Sequence, residues 1–260
     1  MDQMLLISAA AIAALMLGTW MVSLRLRDAS IVDVVWGMSF VLVAWIGFAV
    51  ADGPFLRKLL VAALVTVWGV RLSVHMLRLR RGHGEDFRYR AMRARHGRRF
   101  PLVSLFSVYG LQAVGMWAVS LPVQAAQALP SPSGLTAWDL AGVALWSLGM
   151  VFEVGGDRQL ARFRADPANR GKVMDRGLWR YTRHPNYFGD FCVWWGLFLV
   201  ALDADGALWE AIAGPLTMTL IFTKVFGVPL MEEHLSRAKE GYADYVRRTS
   251  AFFPCPPRPG

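Results

Sequence analysis

Charge is scarce in this chain of 260 residues: 18% of them are Asp, Glu, Lys or Arg, against about 25% in soluble domains. So little charge excludes a disordered, solvated chain. Cysteine is scarcer. Cys192 and Cys255 stand 63 residues apart, which excludes a disulfide scaffold and offers no metal-type spacing, so both read as unpaired thiols. Acids are the minority charge, 19 against 28 Lys and Arg, for a formal net charge of +9. Met1-Asp2-Gln3 lacks the positive start of a secretory signal, and the apolar run that follows is too long for one.

Apolar residues are abundant. They make up 55% of the chain, and mean hydropathy is +0.36. High hydrophobicity with surplus arginine indicates an integral membrane protein whose charge is gathered in a few loops. A basic nucleic-acid binder would spread Lys and Arg over a soluble domain without uncharged runs of twenty.

Seven spans are expected: Met4 to Leu24, Ala29 to Ala51, Leu59 to Leu77, Leu102 to Val123, Ala137 to Val154, Phe191 to Leu202 and Ala211 to Leu230. The sixth is short and needs Asn186-Tyr187-Phe188-Gly189 in the same helix. A residue run with Leu235, Ala238, Tyr242 and Tyr245 at three- and four-residue spacing follows as an amphipathic helix. Basic residues number two in loop 1–2, nine in loop 3–4, eight in loop 5–6 and five in the C-terminal segment. The positive-inside rule therefore places the N-terminus outside and the C-terminus in the cytoplasm. The expected fold is a single all-α, seven-helix membrane domain over residues 1–260, with spans 1–5 in residues 1–154 and the cytoplasmic loop 5–6, spans 6–7 and the C-terminal helix in residues 155–260.

Loop 5–6 interleaves basic, aromatic and amide residues in Asp157-Arg158-Gln159-Leu160-Ala161-Arg162-Phe163-Arg164 and Arg180-Tyr181-Thr182-Arg183-His184-Pro185-Asn186-Tyr187-Phe188-Gly189-Asp190. That mixture suits a phosphate-bearing aromatic ligand: guanidinium for phosphate, rings for stacking, Asn and Asp for hydroxyls. Glu232-Glu233-His234 lies on the same side and can join the pocket. The plainer reading is that the arginines hold topology or touch anionic lipid, and for any single Arg of loop 3–4 that reading is preferred. Zinc is the weaker option, because His184 and His234 lack spaced partners. Within the spans, Asp33, Arg71, His75, Glu153 and Lys224 are costly in hydrocarbon. Of these Asp33 is the functional candidate, as a group that polarises a substrate carbonyl.

The stretch Asp175-Arg176-Gly177-Leu178-Trp179-Arg180-Tyr181-Thr182-Arg183-His184-Pro185-Asn186-Tyr187-Phe188-Gly189-Asp190, with Glu232-Glu233-His234, Tyr242-Ala243-Asp244-Tyr245 and Phe253-Pro254, resembles the steroid 5-alpha-reductase C-terminal-domain superfamily. Asp28-Ala29-Ser30-Ile31-Val32-Asp33-Val34-Val35-Trp36-Gly37 and Gly84-Glu85-Asp86-Phe87-Arg88-Tyr89 look like its bacterial branch. The resemblance implies a membrane reductase that uses NADPH to deliver hydride to the β-carbon of a 3-oxo-Δ4 steroid or similar enone lipid, without a metal or nucleic acid. It implies cofactor contacts from Asp157, Arg164, Asn186, His234 and Asp190, the last standing where the family usually has Glu; the residue mixture of loop 5–6 and the C-terminal segment adds Arg180, Tyr181, Arg183, His184, Tyr187 and Glu233 as cofactor-binding candidates. On the substrate side the resemblance implies Asp33 near the family's carbonyl-holding Glu, and Trp68 at the position of its catalytic tyrosine. Trp68 has no phenolic proton, which keeps open a lipid-binding protein without turnover. Arg183-His184-Pro185-x-Tyr187-x-Gly189 with Glu232-Glu233 is also similar to isoprenylcysteine carboxyl methyltransferases, which bind S-adenosylmethionine.

Overall fold

The computed structural model describes residues 1–128, 134–202, 208–225, 232 and 241–258. Among these the chain is helical, with an isolated bridge between Thr182 and Ser250 in place of any strand. Five helices among the described residues are long and apolar enough to cross a membrane, and the protein reads as an integral membrane protein.

The first compact unit comprises residues 1–136 and 201–214. Its helices are α1 (Asp2–Leu26), α2 (Ile31–Val50), α3 (Phe55–Arg80), α4 (Phe87–His96), α5 (Phe100–Ser104), α6 (Leu111–Val119) and α7 (Leu121–Ala128). A π-helical turn, Leu105–Gly110, joins α5 to α6. Much of α1 exposes apolar side chains, Leu6, Leu17 and Met21 among them, while its buried line runs Met4, Ser8, Ile12, Met16, Thr19, Ser23 at three- and four-residue steps. One wall of a membrane helix faces lipid and the other faces neighbours, and that is the pattern seen. Between α2 and α3 the backbones touch: a Cβ on Gly37 would lie 2.3 Å from the Gly69 carbonyl oxygen. Trp68 is fully buried there, its ring edge-on to Phe40 at 5.5 Å.

The second unit comprises residues 137–200 and 215–260. It holds α8 (Ala137–Ala165), most of α9 (Pro185–Ala201), the end of α10 (Leu208–Leu220) and α11 (Tyr242–Arg248). Glycines set the α8–α9 contact. A Cβ on Gly142 would lie 2.6 Å from the Gly196 oxygen, one on Gly149 would lie 2.5 Å from the Gly189 oxygen, and one on Gly156 would lie 3.1 Å from Pro185. The α8 glycines are seven residues apart and their α9 partners come in reverse order, Gly196, Gly189 and Pro185, so the helices run antiparallel with backbones in contact.

Loop 3–4 departs from the sequence reading. It contains α4, capped at its start by the Asp86 side chain, which accepts from the Arg88 amide at 3.0 Å, and closed by Gly97 at φ 48°. The thiols of Cys192 and Cys255 are free, one buried and one exposed.

Candidate functional site

The second unit carries a cleft of about 80 Å³. Its floor is built by side chains that pin loop 5–6 to α8. Gln159 Oε1 accepts from the Leu178 amide at 2.9 Å, and Trp179 Nε1 donates to the Gly156 carbonyl at 3.0 Å. Tyr245 on α11 donates its hydroxyl to the Trp179 carbonyl. The segment after α11 straps the same loop: Arg183 N donates to Ser250 O at 2.8 Å, Thr182 Oγ1 to Phe252 O at 2.8 Å, and Cys255 N to Tyr181 O at 3.0 Å.

Arg183 is buried beneath this strap. Its guanidinium donates to Glu232 Oε1 at 2.7 Å and to the carbonyls of Val246 and Thr249. His184 Nε2 lies 3.5 Å from the same Glu232 oxygen. The His184 ring stacks on Tyr187 with centroids 5.2 Å apart, and Tyr187 stacks on Phe222 at 4.8 Å. Burial pushes the Glu232 carboxyl up, but its contacts with His184 and Arg183 prevail and hold it below the usual carboxylate range. Burial raises the Tyr242 phenol to about 12 and pushes Tyr245 upward as well. Both are therefore neutral hydroxyls at physiological pH.

The cleft collects Arg164, Arg183, His184, Asn186 and Tyr187 from the sequence-derived set. Asp157 stands behind Asn186, whose Nδ2 donates to Asp157 Oδ1 at 3.2 Å. Asp190 is buried one turn further along α9. Arg180 and Tyr181 are exposed and absent from the lining. Glu233 and His234 lie outside the described residues. Six further residues complete the wall: Leu160, Val173, Met174, Trp179, Tyr242 and Tyr245. Leu160 stands four residues before Arg164 on α8, a spacing that puts both on one face; nothing in sequence singled out Val173 or Met174. Glu232, passed over in favour of Glu233, is the glutamate that engages Arg183 and His184.

Asp33 and Trp68 belong to the first unit. Asp33 Oδ1 accepts from the Tyr89 hydroxyl at 3.0 Å and Oδ2 from Arg88 at 3.1 Å, with Arg80 at 3.7 Å. A substrate carbonyl would have to displace these donors to reach the carboxyl group. Around Asp33 the two N-terminal motifs interlock. The Ala29 amide donates to Glu85 at 2.9 Å, the Asp86 amide donates to Ser30 Oγ at 2.8 Å, and Arg93 clamps Glu85 through two nitrogens at 2.8 and 2.9 Å. Tyr109, in the π-helical turn, donates to the Ala29 carbonyl at 3.1 Å. Burial works to raise Glu85, yet the hydrogen bonds from Arg93 and Ala29 bring it below its ordinary value.

Among the described residues no three His, Cys, Asp or Glu side chains converge as a metal site requires.

Residues 19–249 match a family model described as protein of unknown function (DUF1295). The chain belongs to the DUF1295 family. Members of the curated set similar to this DUF1295 chain include an uncharacterized protein of Schizosaccharomyces pombe, 25% identical over 90% of the chain and 75% of the relative. The 3-oxo-5-alpha-steroid 4-dehydrogenase 1 of Mus musculus is 27% identical over 44% of the chain and 41% of its own length. That of Bos taurus is 25% identical over 60% and 54%. The chain thus spans about half the length of the steroid dehydrogenases it matches. The similarity is distant, and it places the family among reductase-like proteins, as the resemblance in loop 5–6 implied. No solved structure gives a significant match.

Proposed function

We propose that this chain is a membrane oxidoreductase that reduces a carbon–carbon double bond of an enone lipid, a 3-oxo-Δ4 steroid or a compound of similar shape, with NADPH held in the cleft of the second unit. The supporting observation is the convergence of an exposed arginine, an oriented amide and aromatic walls on one cleft, in a family distantly similar to 3-oxo-5-alpha-steroid 4-dehydrogenases. The donor set suits the cofactor. Arg164 offers a guanidinium for a phosphate. Asn186, with its nitrogen turned to Asp157, keeps its amide oxygen for a hydroxyl or amide of the ligand. Trp179 and Tyr242 give apolar surface for a planar ring.

NADPH, when bound, supplies the hydride for the β-carbon, and a proton at the α-carbon completes the reduction. Arg183 serves as a strut, joining the loop to the strap and to Glu232. Asp33 acts in this reading by fixing α4 through Arg88 and Tyr89. In the proposed arrangement the chain has seven spans and the cleft faces the cytoplasm, following the distribution of basic residues.

Thermal unfolding of purified protein with each coenzyme tests the reading, because a ligand that binds the folded state raises the melting point. NADPH should stabilise the wild type. Arg164→Ala should raise the NADPH dissociation constant about 10-fold or more, the scale of a lost charge-assisted hydrogen bond. Stabilisation by S-adenosylmethionine and none by NADPH overturns the proposal. That outcome is the second reading, a membrane methyltransferase, and one observation favours it: Arg183 is committed to Glu232 and the strap, so the cleft presents few open cations to phosphates.

A further inference from the structure

The nine arginines of residues 78–99 are not equivalent. Three of them, Arg80, Arg88 and Arg93, turn toward Asp33, Glu85 and Asp86. The other six, Arg78, Arg81, Arg90, Arg95, Arg98 and Arg99, are exposed. The segment's two acids are consumed by the first set: Glu85 accepts both Arg93 nitrogens and the Ala29 amide, and Asp86 accepts from Arg88. Among the described residues, the outward set is left without local counter-charge.

The exposure is ordered. Along α4 the exposed positions are 87, 90, 91, 94 and 95, with 98 continuing the series. That is the i, i+3/i+4, i+7/i+8, i+11 pattern of one helical face. This face carries Phe87 and two alanines between Arg90 and Arg95. The run Phe87–Val119 has 33 residues, whereas about 20 cross the hydrocarbon core. Phe100–Val119 supplies that number, so the ten residues of α4 lie beyond it, at headgroup level, between α3 and α5. A signal that only sets orientation needs charge on one side of the membrane. It needs neither a helix nor a single arginine face with an aromatic residue at its edge.

We propose that the outward face of α4 and its flanking arginines form a binding site for the phosphate headgroups of anionic phospholipid. Guanidinium forks suit phosphate oxygens, and Phe87 suits the boundary with the acyl chains. The site lies in the first unit and stands independently of the cofactor assignment.

The test uses full-length protein in nanodiscs of phosphatidylcholine, with or without phosphatidylglycerol, and native mass spectrometry of lipid retained on release. The expected result is selective retention of phosphatidylglycerol and a higher melting point in its presence, both weakened by 0.5 M salt. The fourfold variant Arg90→Gln, Arg95→Gln, Arg98→Gln, Arg99→Gln should lower phosphatidylglycerol affinity on the order of 100-fold or more, since each basic group at an anionic surface contributes about one factor of several. The matching fourfold Lys variant should keep most of the affinity. Should the Gln variant fail to insert, the lipid comparison on the wild type still decides. Equal retention of both lipids overturns the proposal. So does release of bound lipid by millimolar inorganic phosphate, which would identify a site for soluble anions.

Discussion

Arg183 shows how a side chain's chemistry can be legible in sequence while its partners are not. Its position in an arginine-histidine-proline motif pointed to ligand phosphate. The structure gives its donors to Glu232, Val246 and Thr249 instead. Removing Arg183 leaves the partly exposed Glu232 carboxylate and the carbonyls of Val246 and Thr249 without their donor, which costs at least about 1–3 kcal/mol. Arg183→Ala should therefore lower the melting temperature, and Arg183→Lys should rescue little of it, because an ammonium cannot reproduce the fork. Chemical denaturation of both variants checks this. Glu232 gives the corresponding pH effect. Its folded pKa is depressed, so its contribution is present above the unfolded value near 4.3 and is lost as pH falls through the lower, folded value. Glu85 has the same sign. Melting temperature followed from pH 7 down to 3 should fall less steeply in Glu232→Gln than in the wild type, from a lower start. Identical slopes would show that the Glu232 pair contributes nothing to the acid limb. Residue identity could not reveal such commitments, since they depend on what the strap after α11 brings alongside.

Among the elements, the long apolar helices were legible, because a run of twenty uncharged residues has few other uses. The first five spans of the sequence reading fall on helices long and apolar enough to cross. What was not legible is how polar loops fold. Residues 78–99 read as a basic loop, yet Asp86 starts a helix there and Gly97 ends it. A capping aspartate and a left-handed glycine are local signals, masked by the surrounding arginines. The seven-residue spacing of Gly142, Gly149 and Gly156 was equally available, and gains meaning only beside Gly189 and Gly196 on α9. Gly149→Ala gives this a measurable form. Alanine improves helix propensity by about 1 kcal/mol, but its methyl group would meet the Gly189 carbonyl at 2.5 Å. Net destabilisation of at least 1–3 kcal/mol is expected from the forced separation. Gly18→Ala is the control, with nothing within 4 Å of its added carbon, and should be neutral or stabilising. A stable Gly149→Ala protein would show that the helices can part at no cost.

For the whole molecule, the residues that the sequence reading assigned to the substrate side and those it assigned to the cofactor lie in different compact units. Asp33 and Trp68 fall in the first, and the cofactor candidates described here fall in the second. The resemblance supplied both assignments, since periodicity and composition carry no information on which segments pack together. The division has an experimental form. Asp33→Asn weakens the hold on Arg88 and Tyr89 and should lower the melting temperature by a few degrees while leaving NADPH affinity within about twofold of the wild type. Arg164→Ala should do the reverse. Coenzyme titration and thermal unfolding of the two variants, read side by side, check both halves. A large loss of NADPH affinity in Asp33→Asn would tie the first unit directly to the coenzyme.

The matched glycines of α8 and α9 work like the teeth of a comb set in a second comb. Shifting one helix along the other by a single turn would drive side chains into backbone at every contact, so lengthwise gliding is forbidden. Asn186 is thereby held opposite Asp157, and any widening of the cleft falls to its other walls, the loop residues Val173, Met174 and Trp179 and the α11 tyrosines, with α8 and α9 as the fixed jaw.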